Sequence, residues 1–230
     1  MTDLPGASRQ PRAYIRRRGR MTAGQSRALE ELARYRLEPG VEPLDLAACF
    51  GRRAPTGLEI GFGMGQALLA WAEQRPDWNL LGLEIYQPGV GALLLGLERL
   101  GLTNVRAMEA AAETVLVAQI GSSGLDEVRI FFPDPWPKTR HHKRRLIQPE
   151  FVALLAERLR PGGLLWLATD WMPYAEWMTE ILAREPRFAP VESGAPDSDD
   201  GDQDRIQTRF EARGLRLGHE IRDLRYRRLA

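Results

Sequence analysis

Two rhythms of apolar residues divide the middle of this chain. Short apolar runs predict strands at residues 57–61, 80–85, 105–109, 127–132 and 164–169. Between them, apolar positions recurring every three or four residues predict helices at 65–75, 88–100, 113–120, 149–159 and 173–184. In the fourth of these helices Phe151, Leu154, Leu155 and Leu159 share one face, and Glu150, Glu157 and Arg158 fall off it. Alternation of this kind means an α/β fold, a mostly parallel sheet with helices on both faces. Ligands then sit beyond the carboxyl ends of the strands, near the point where strand order reverses. Asp134 and Asp170 follow the fourth and fifth strands and lie on that edge.

The first strand runs into Gly61, Gly63 and Gly65, which let the backbone approach a ligand at the start of the next helix. Gln66 breaks the dinucleotide spacing G-x-G-x-x-G, which argues against a nicotinamide cofactor. Glu84 closes the second strand about 20 positions after the turn, where an acid commonly accepts the ribose hydroxyls of an adenosine cofactor. Glu59 sits inside the first apolar strand, either as a core acid pairing with backbone or as a ligand to a cationic cofactor.

Composition narrows the class. With 230 residues, 43% of them hydrophobic, the chain can bury a substantial core. The charge pattern predicts a basic, partly flexible segment over residues 1–35 and a single domain over 36–230, interrupted by an acidic flexible loop near 193–204. Net charge is only +1, yet Lys138 and Lys143 are the only lysines; every other cation apart from histidine is arginine, whose planar fork suits phosphate and guanine edges. A GC-rich genome would produce the same bias. The single cysteine, Cys49, excludes an internal disulfide, and three histidines without ligand spacing predict no metal. No apolar run reaches the length of a membrane span and no signal peptide is recognisable, so a cytoplasmic protein is expected.

The densest chemistry lies in Phe132-Pro133-Asp134-Pro135-Trp136-Pro137-Lys138, followed by Arg140, His141, His142, Lys143, Arg144 and Arg145. Each proline biases its predecessor away from the helical region, so Phe132, Asp134 and Trp136 are expected to be extended. In an extended chain Asp134, Trp136 and Lys138 would face one pocket. A carboxylate, a stacking plane and a cation beside a basic block can hold a nucleobase together with its phosphates.

These segments, with Thr169-Asp170, Thr208-Arg209-Phe210-Glu211 and Gly218-His219, occur in an order that resembles the bacterial tRNA (guanine-N7-)-methyltransferase family from about Tyr14 to Tyr226. The resemblance implies a class I S-adenosyl-L-methionine-dependent, Rossmann-like fold whose seven-stranded sheet takes its last strands from the C-terminal tail. It implies tRNA as partner and methylation of the guanine at position 46 of the variable loop. Matched residue by residue, it implies Glu59 as the methionine-side acid, Glu84 as the ribose acid and Asp134 as the catalytic carboxylate lining the cofactor site. Substrate contacts fall on Lys138, Asp170, Thr208, Arg209, Phe210 and Glu211, and RNA contacts on Arg140, His141, His142, Lys143, Arg144 and Arg145. Three positions depart from the family pattern. Ala111, within Ala110-Ala111-Ala112, stands where an acid near the adenine is usual, leaving that role to backbone groups, Glu109 or Glu113. Ile206 replaces a proline, and Tyr86 replaces the commoner histidine.

Guanine N7 carries an in-plane lone pair and no proton, so its methylation needs no general base. Alignment helps, as does a carboxylate facing the cation that develops, and Asp134 suits that role. Trp136 would either stack on the base or wall the pocket. Asp170 would either read guanine donors or cap the helix that follows. Three other classes compete: methylation of an exocyclic amine, NAD-dependent oxidoreduction, and RNA binding without catalysis. The last leaves Glu59, the glycine turn and Glu84 without a purpose. A monomer or a homodimer is expected.

Overall fold

The computed structural model describes residues 19–191 and 220–230. Its strands are β1 (Thr56–Ile60), β2 (Asn79–Glu84), β3 (Val105–Glu109), β4 (Leu125–Phe131), β5 (Leu159–Thr169), β6 (Phe188–Pro190) and β7 (Arg222–Arg228). Its helices are α1 (Ala23–Glu31), α2 (Leu46–Phe50), α3 (Gln66–Gln74), α4 (Gln87–Leu100), α5 (Ala112–Ala118), α6 (Pro149–Arg158) and α7 (Met172–Ala183). The strands form one sheet in the order β3-β2-β1-β4-β5-β7-β6. β1 to β5 are parallel, and β7 lies antiparallel between β5 and β6. This is the seven-stranded sheet that the resemblance implied, and strand order reverses between β1 and β4.

Period-two alternation splits the strand residues between two cores. Leu58, Ile60, Leu81, Leu83, Val128 and Ile130 pack with α5, α6 and α7, while Leu80, Val105 and Ala107 pack with α1, α3 and α4. Glycines allow the second layer to sit close. A Cβ at Gly57 would meet the Trp71 ring at 2.3 Å, and one at Gly89 in α4 would meet the Gly63 carbonyl oxygen at 2.1 Å. α4 therefore rests directly on the glycine turn.

Residues 23–35, part of the leading segment, fold as α1 and a short 3-10 turn and bury Ala28 and Tyr35 against that core. Thr22 and Gln25 bond reciprocally to each other's backbone N–H, which satisfies two of the donors orphaned at the helix start. The fourth predicted helix ends at Arg158, and Leu159 already begins β5. Arg158 is buried rather than solvent-facing, because its guanidinium donates to the Leu116 carbonyl (2.6 Å) and to Glu157 (2.6 Å). The first 18 residues and the acidic stretch near 193–204 lie outside the described residues.

Candidate active site at the strand-order switch

The carboxyl ends of β1, β2, β4 and β5 bring four predicted acids to one sheet edge. Glu59 lies in β1, Glu84 ends β2, Asp134 follows β4 by three residues and Asp170 follows β5. Gly61, Gly63 and Gly65 all take positive φ (73°, 56° and 82°), which only glycine adopts without strain. A Cβ at Gly61 or Gly63 would meet nothing within 4 Å, so the turn opens onto free space on its ligand side.

Glu84 is mostly buried and organises that turn. One oxygen accepts the Gly63 N–H (2.8 Å), and the other accepts those of Ile85 (2.7 Å) and Tyr86 (3.0 Å). A carboxylate offers about four lone-pair sites, so roughly one remains for a ligand hydroxyl. Burial pushes its pKa up; the three N–H groups oppose that shift, and the nearby charge of Asp134 adds to it.

Glu59 is 3% exposed, and its Oε2 is buried without a hydrogen-bond partner. It heads a row across the sheet: Glu59 is in register with Arg129, Arg129 with Trp166, and Trp166 with Arg225. Arg129 bonds Glu127 at 2.5 Å and lies over the rings of Trp71 (3.8 Å) and Trp166 (5.0 Å). Its charge is thus already matched by Glu127. Burial raises the Glu59 pKa to about 8; Arg129 lowers it in part, and Glu84 raises it further. A buried carboxyl with an orphaned oxygen, beside an open glycine turn and an acid with a spare acceptor site, fits a ligand carrying an ammonium at one end and a ribose at the other. Ala111, which the resemblance placed near the adenine, is half-buried at the start of α5, and the Glu109 carboxylate accepts from the Gln87 amide at 3.1 Å.

The proline-rich segment departs from the extended geometry expected of it. Phe132 and Trp136 take φ of 52° and 45°, an outlier conformation for bulky residues that costs about 1–3 kcal/mol each. The Phe132 N–H still completes the sheet through the Ala168 carbonyl (2.8 Å), after which the chain must turn sharply. Asp134, Trp136 and Lys138 therefore do not alternate along one extended face. Asp134 is exposed, and its charge reaches both Glu84 and Tyr174. Trp136 is half-buried, with His141 edge-on at 5.7 Å and the Arg144 guanidinium 5.1 Å from its ring.

The basic block, read as one RNA-facing unit, separates into layers. Lys138, Arg140 and Lys143 are exposed. His141 and His142 are half-buried, and desolvation together with Arg140, Arg144, Lys138 and Lys143 moves His141 toward its neutral form. Arg144 lies on Trp136. Arg145 corrects the expectation of an RNA contact: it is 2% exposed and points into the fold, between the rings of Tyr174 (4.9 Å) and Trp177 (5.0 Å) of α7. The cap position of α7 falls on Trp171, not Asp170, and Asp170 stands half-exposed at the sheet edge. Thr208, Arg209, Phe210 and Glu211 lie outside the described residues.

Sequence reasoning missed Arg129, Tyr174 and Trp177. The first carried a signal, since a charge two residues from Glu127 within an apolar strand needs a buried partner. The aromatic pair carried none, because Tyr174 and Trp177 read as ordinary core positions of a helix.

Residues 53–224 match a family model described as "Putative methyltransferase". The tRNA (guanine-N(7)-)-methyltransferase of Alkalilimnicola ehrlichii is 49% identical over 229 residues, covering 98% of this chain and 96% of that protein. The protein of the same name from Nitrosococcus oceani is 48% identical over 227 residues, covering 97% and 94%. Among solved structures, the 16S rRNA methyltransferase KamB superposes with a TM-score of 0.56 at 19% identity, covering 82% of this chain and 95% of that one. The aminoglycoside resistance methyltransferase NpmB1 gives 0.53 at 16%, covering 80% and 92%. At those identities the likeness is one of fold.

Proposed function

This chain belongs to the tRNA (guanine-N(7)-)-methyltransferase family, and we propose that it methylates N7 of the guanine at position 46 in the tRNA variable loop. S-adenosyl-L-methionine, when bound, supplies an electrophilic methyl on a cationic sulfur. The observation that carries the reading is the meeting of Glu59, the open glycine turn, Glu84 and Asp134 at the strand-order switch, beside the exposed cations Lys138, Arg140 and Lys143.

Each residue has a part in this reading. Glu59 receives the cofactor's ammonium on its orphaned Oε2. Gly61 and Gly63 give the cofactor room against the backbone, and the spare acceptor site of Glu84 takes a ribose hydroxyl. Ala111 borders the adenine, which has no carboxylate of its own at that position. Asp134 faces the guanine as positive charge develops on its ring, and needs neither to take nor to give a proton. Lys138, Arg140 and Lys143 meet phosphates, while Asp170 and residues 208–211 are the substrate contacts that the resemblance implies. The reaction belongs in the cytoplasm.

Methylation at N7 leaves a permanently cationic imidazolium ring. Borohydride reduction followed by aniline should therefore cleave treated tRNA at one guanine in the variable loop, whereas a neutral exocyclic product would survive. Asp134→Asn keeps the shape and removes the charge, and should lower turnover by at least ~10²-fold, the scale of deleting one preorganised electrostatic interaction. Methyl incorporation without a cleavable site would move the chemistry to another atom. Near-wild-type turnover in the Asn variant would take Asp134 out of catalysis.

A further inference from the structure

The segment that carries Asp134 is held in a shape its own sequence disfavours. Two bulky residues, Phe132 and Trp136, sit in the left-handed region on either side of Asp134. Such conformations persist only where the surroundings over-determine them. Local prolines do not supply the restraint, because they bias their predecessors toward extended geometry.

The restraint comes from inside the protein. Arg145 Nε donates to the Pro135 carbonyl at 3.0 Å, between Asp134 and Trp136 in the chain. A terminal nitrogen of the same guanidinium lies 3.0 Å from His142 Nε2; because arginine has only donors, the imidazole accepts. Tyr174 and Trp177 flank the group, and both rings are tied to one residue, Ile147. Its N–H donates to the Tyr174 hydroxyl (3.3 Å), and its carbonyl accepts from Trp177 Nε1 (2.7 Å). The Gln148 amide then closes the turn by donating to the carbonyls of His142 (2.9 Å) and Arg145 (3.2 Å).

We infer that Arg145 is a positioning residue: a buried clamp joining α7 to the Pro135 carbonyl, which fixes Asp134 and Trp136 in their working geometry and touches no phosphate. Only a planar fork can reach the Pro135 carbonyl and His142 together while presenting its face to two rings. A lysine would keep the charge and lose that geometry. The inference deepens the proposed function and rests on it, since the atoms positioned are those assigned to the guanine pocket.

The test uses the full chain with Arg145→Lys and Arg145→Ala, after folding is verified by thermal melting. S-adenosyl-L-methionine affinity, read by calorimetry, should stay within about twofold of wild type, and the salt dependence of tRNA affinity should not change. Turnover should fall by about 10²-fold with little change in KM for tRNA, the effect of a misplaced reacting group. Millimolar methylguanidinium should restore part of the Ala variant's turnover by entering the vacated space between Tyr174 and Trp177. A salt slope reduced by ~0.7–0.9, the signature of one phosphate no longer neutralised, with turnover retained, would make Arg145 an RNA ligand and overturn the inference. Unrescued loss of turnover would overturn it in favour of general loosening. If neither variant folds, Trp177→Phe decides, since it keeps a ring and removes the bond to Ile147. Several-fold slower turnover at an unchanged salt slope supports the clamp, and wild-type turnover refutes it. Wild-type protein that transfers no methyl to tRNA would sink the proposed function itself, a separate result.

Discussion

Glu59→Gln is the perturbation that best exposes how the cofactor end of the site is built. The unfolded chain ionises this carboxyl near its ordinary 4.5, and the folded protein only near 8. Between those values the folded state holds a proton that the unfolded state has released. Stability contributed by Glu59 is therefore complete below pH 4.5 and is lost as pH rises toward 8. At 1.36 kcal/mol per pKa unit, the interval from 4.5 to 7 corresponds to about 3 kcal/mol, a large fraction of the 5–15 kcal/mol typical of a domain. The structural cause is burial, which the charge of Arg129, itself paired with Glu127, offsets only in part. Glutamine has no proton to lose. The variant should match wild type near pH 4.5 and exceed it by up to about 3 kcal/mol at pH 7 in the absence of cofactor. Urea denaturation of both proteins at pH 5, 6.5 and 8 measures this, because titrating groups that do not interact with Glu59 contribute equally to both. Parallel stability curves would refute the reasoning. The same carboxyl should ionise when it receives an ammonium, so calorimetry in buffers of different ionisation enthalpy should detect about one proton released on cofactor binding by wild type. The Gln variant should release none from this site.

Glu84→Ala should weaken S-adenosyl-L-methionine binding by roughly 1–3 kcal/mol and also lower the melting temperature, because the Gly63, Ile85 and Tyr86 N–H groups lose their acceptor. Unchanged calorimetric affinity in a folded variant would remove it from the site. Replacing Lys138, Arg140 and Lys143 with Ala should flatten the salt dependence of tRNA affinity by ~0.7–0.9 for each phosphate left without its cation, with cofactor binding untouched. A slope identical to wild type would make these three residues a solvated face.

The alternating centre of the fold was legible because its signals are local. Helical and strand periodicity located β1 to β5 and the helices between them to within a few residues, except that β5 begins at Leu159, five residues before its apolar run. β7 was different. Its residues, Arg-Asp-Leu-Arg-Tyr-Arg-Arg, read as a basic tail, and only pairing with β5 makes them a strand; the family resemblance, not the pattern, anticipated it. α1 did carry a local signal, the Thr22–Gln25 capping box, in an otherwise polar stretch. In the site, the glycine turn and the strand-end acids could be read directly, since backbone freedom and buried charge are properties of single positions. The geometry around Asp134 could not. Local proline rules predicted extension, and a bond ten residues away, from Arg145 to Pro135, accompanies the opposite outcome.

The placement of β7 bears on how the protein is made. A ribosome delivers this strand after every other element of the sheet, yet it lies inside the sheet and not at its margin. Until β7 arrives, β5 presents an unpaired edge that carries Trp166, and β6 has no neighbour to join. A nascent or prematurely stopped chain is thus not a smaller enzyme but an open sheet with an indole on its rim, the kind of surface that recruits other unfinished chains. Pairing of β7 with β5 is, for this protein, what covers that edge.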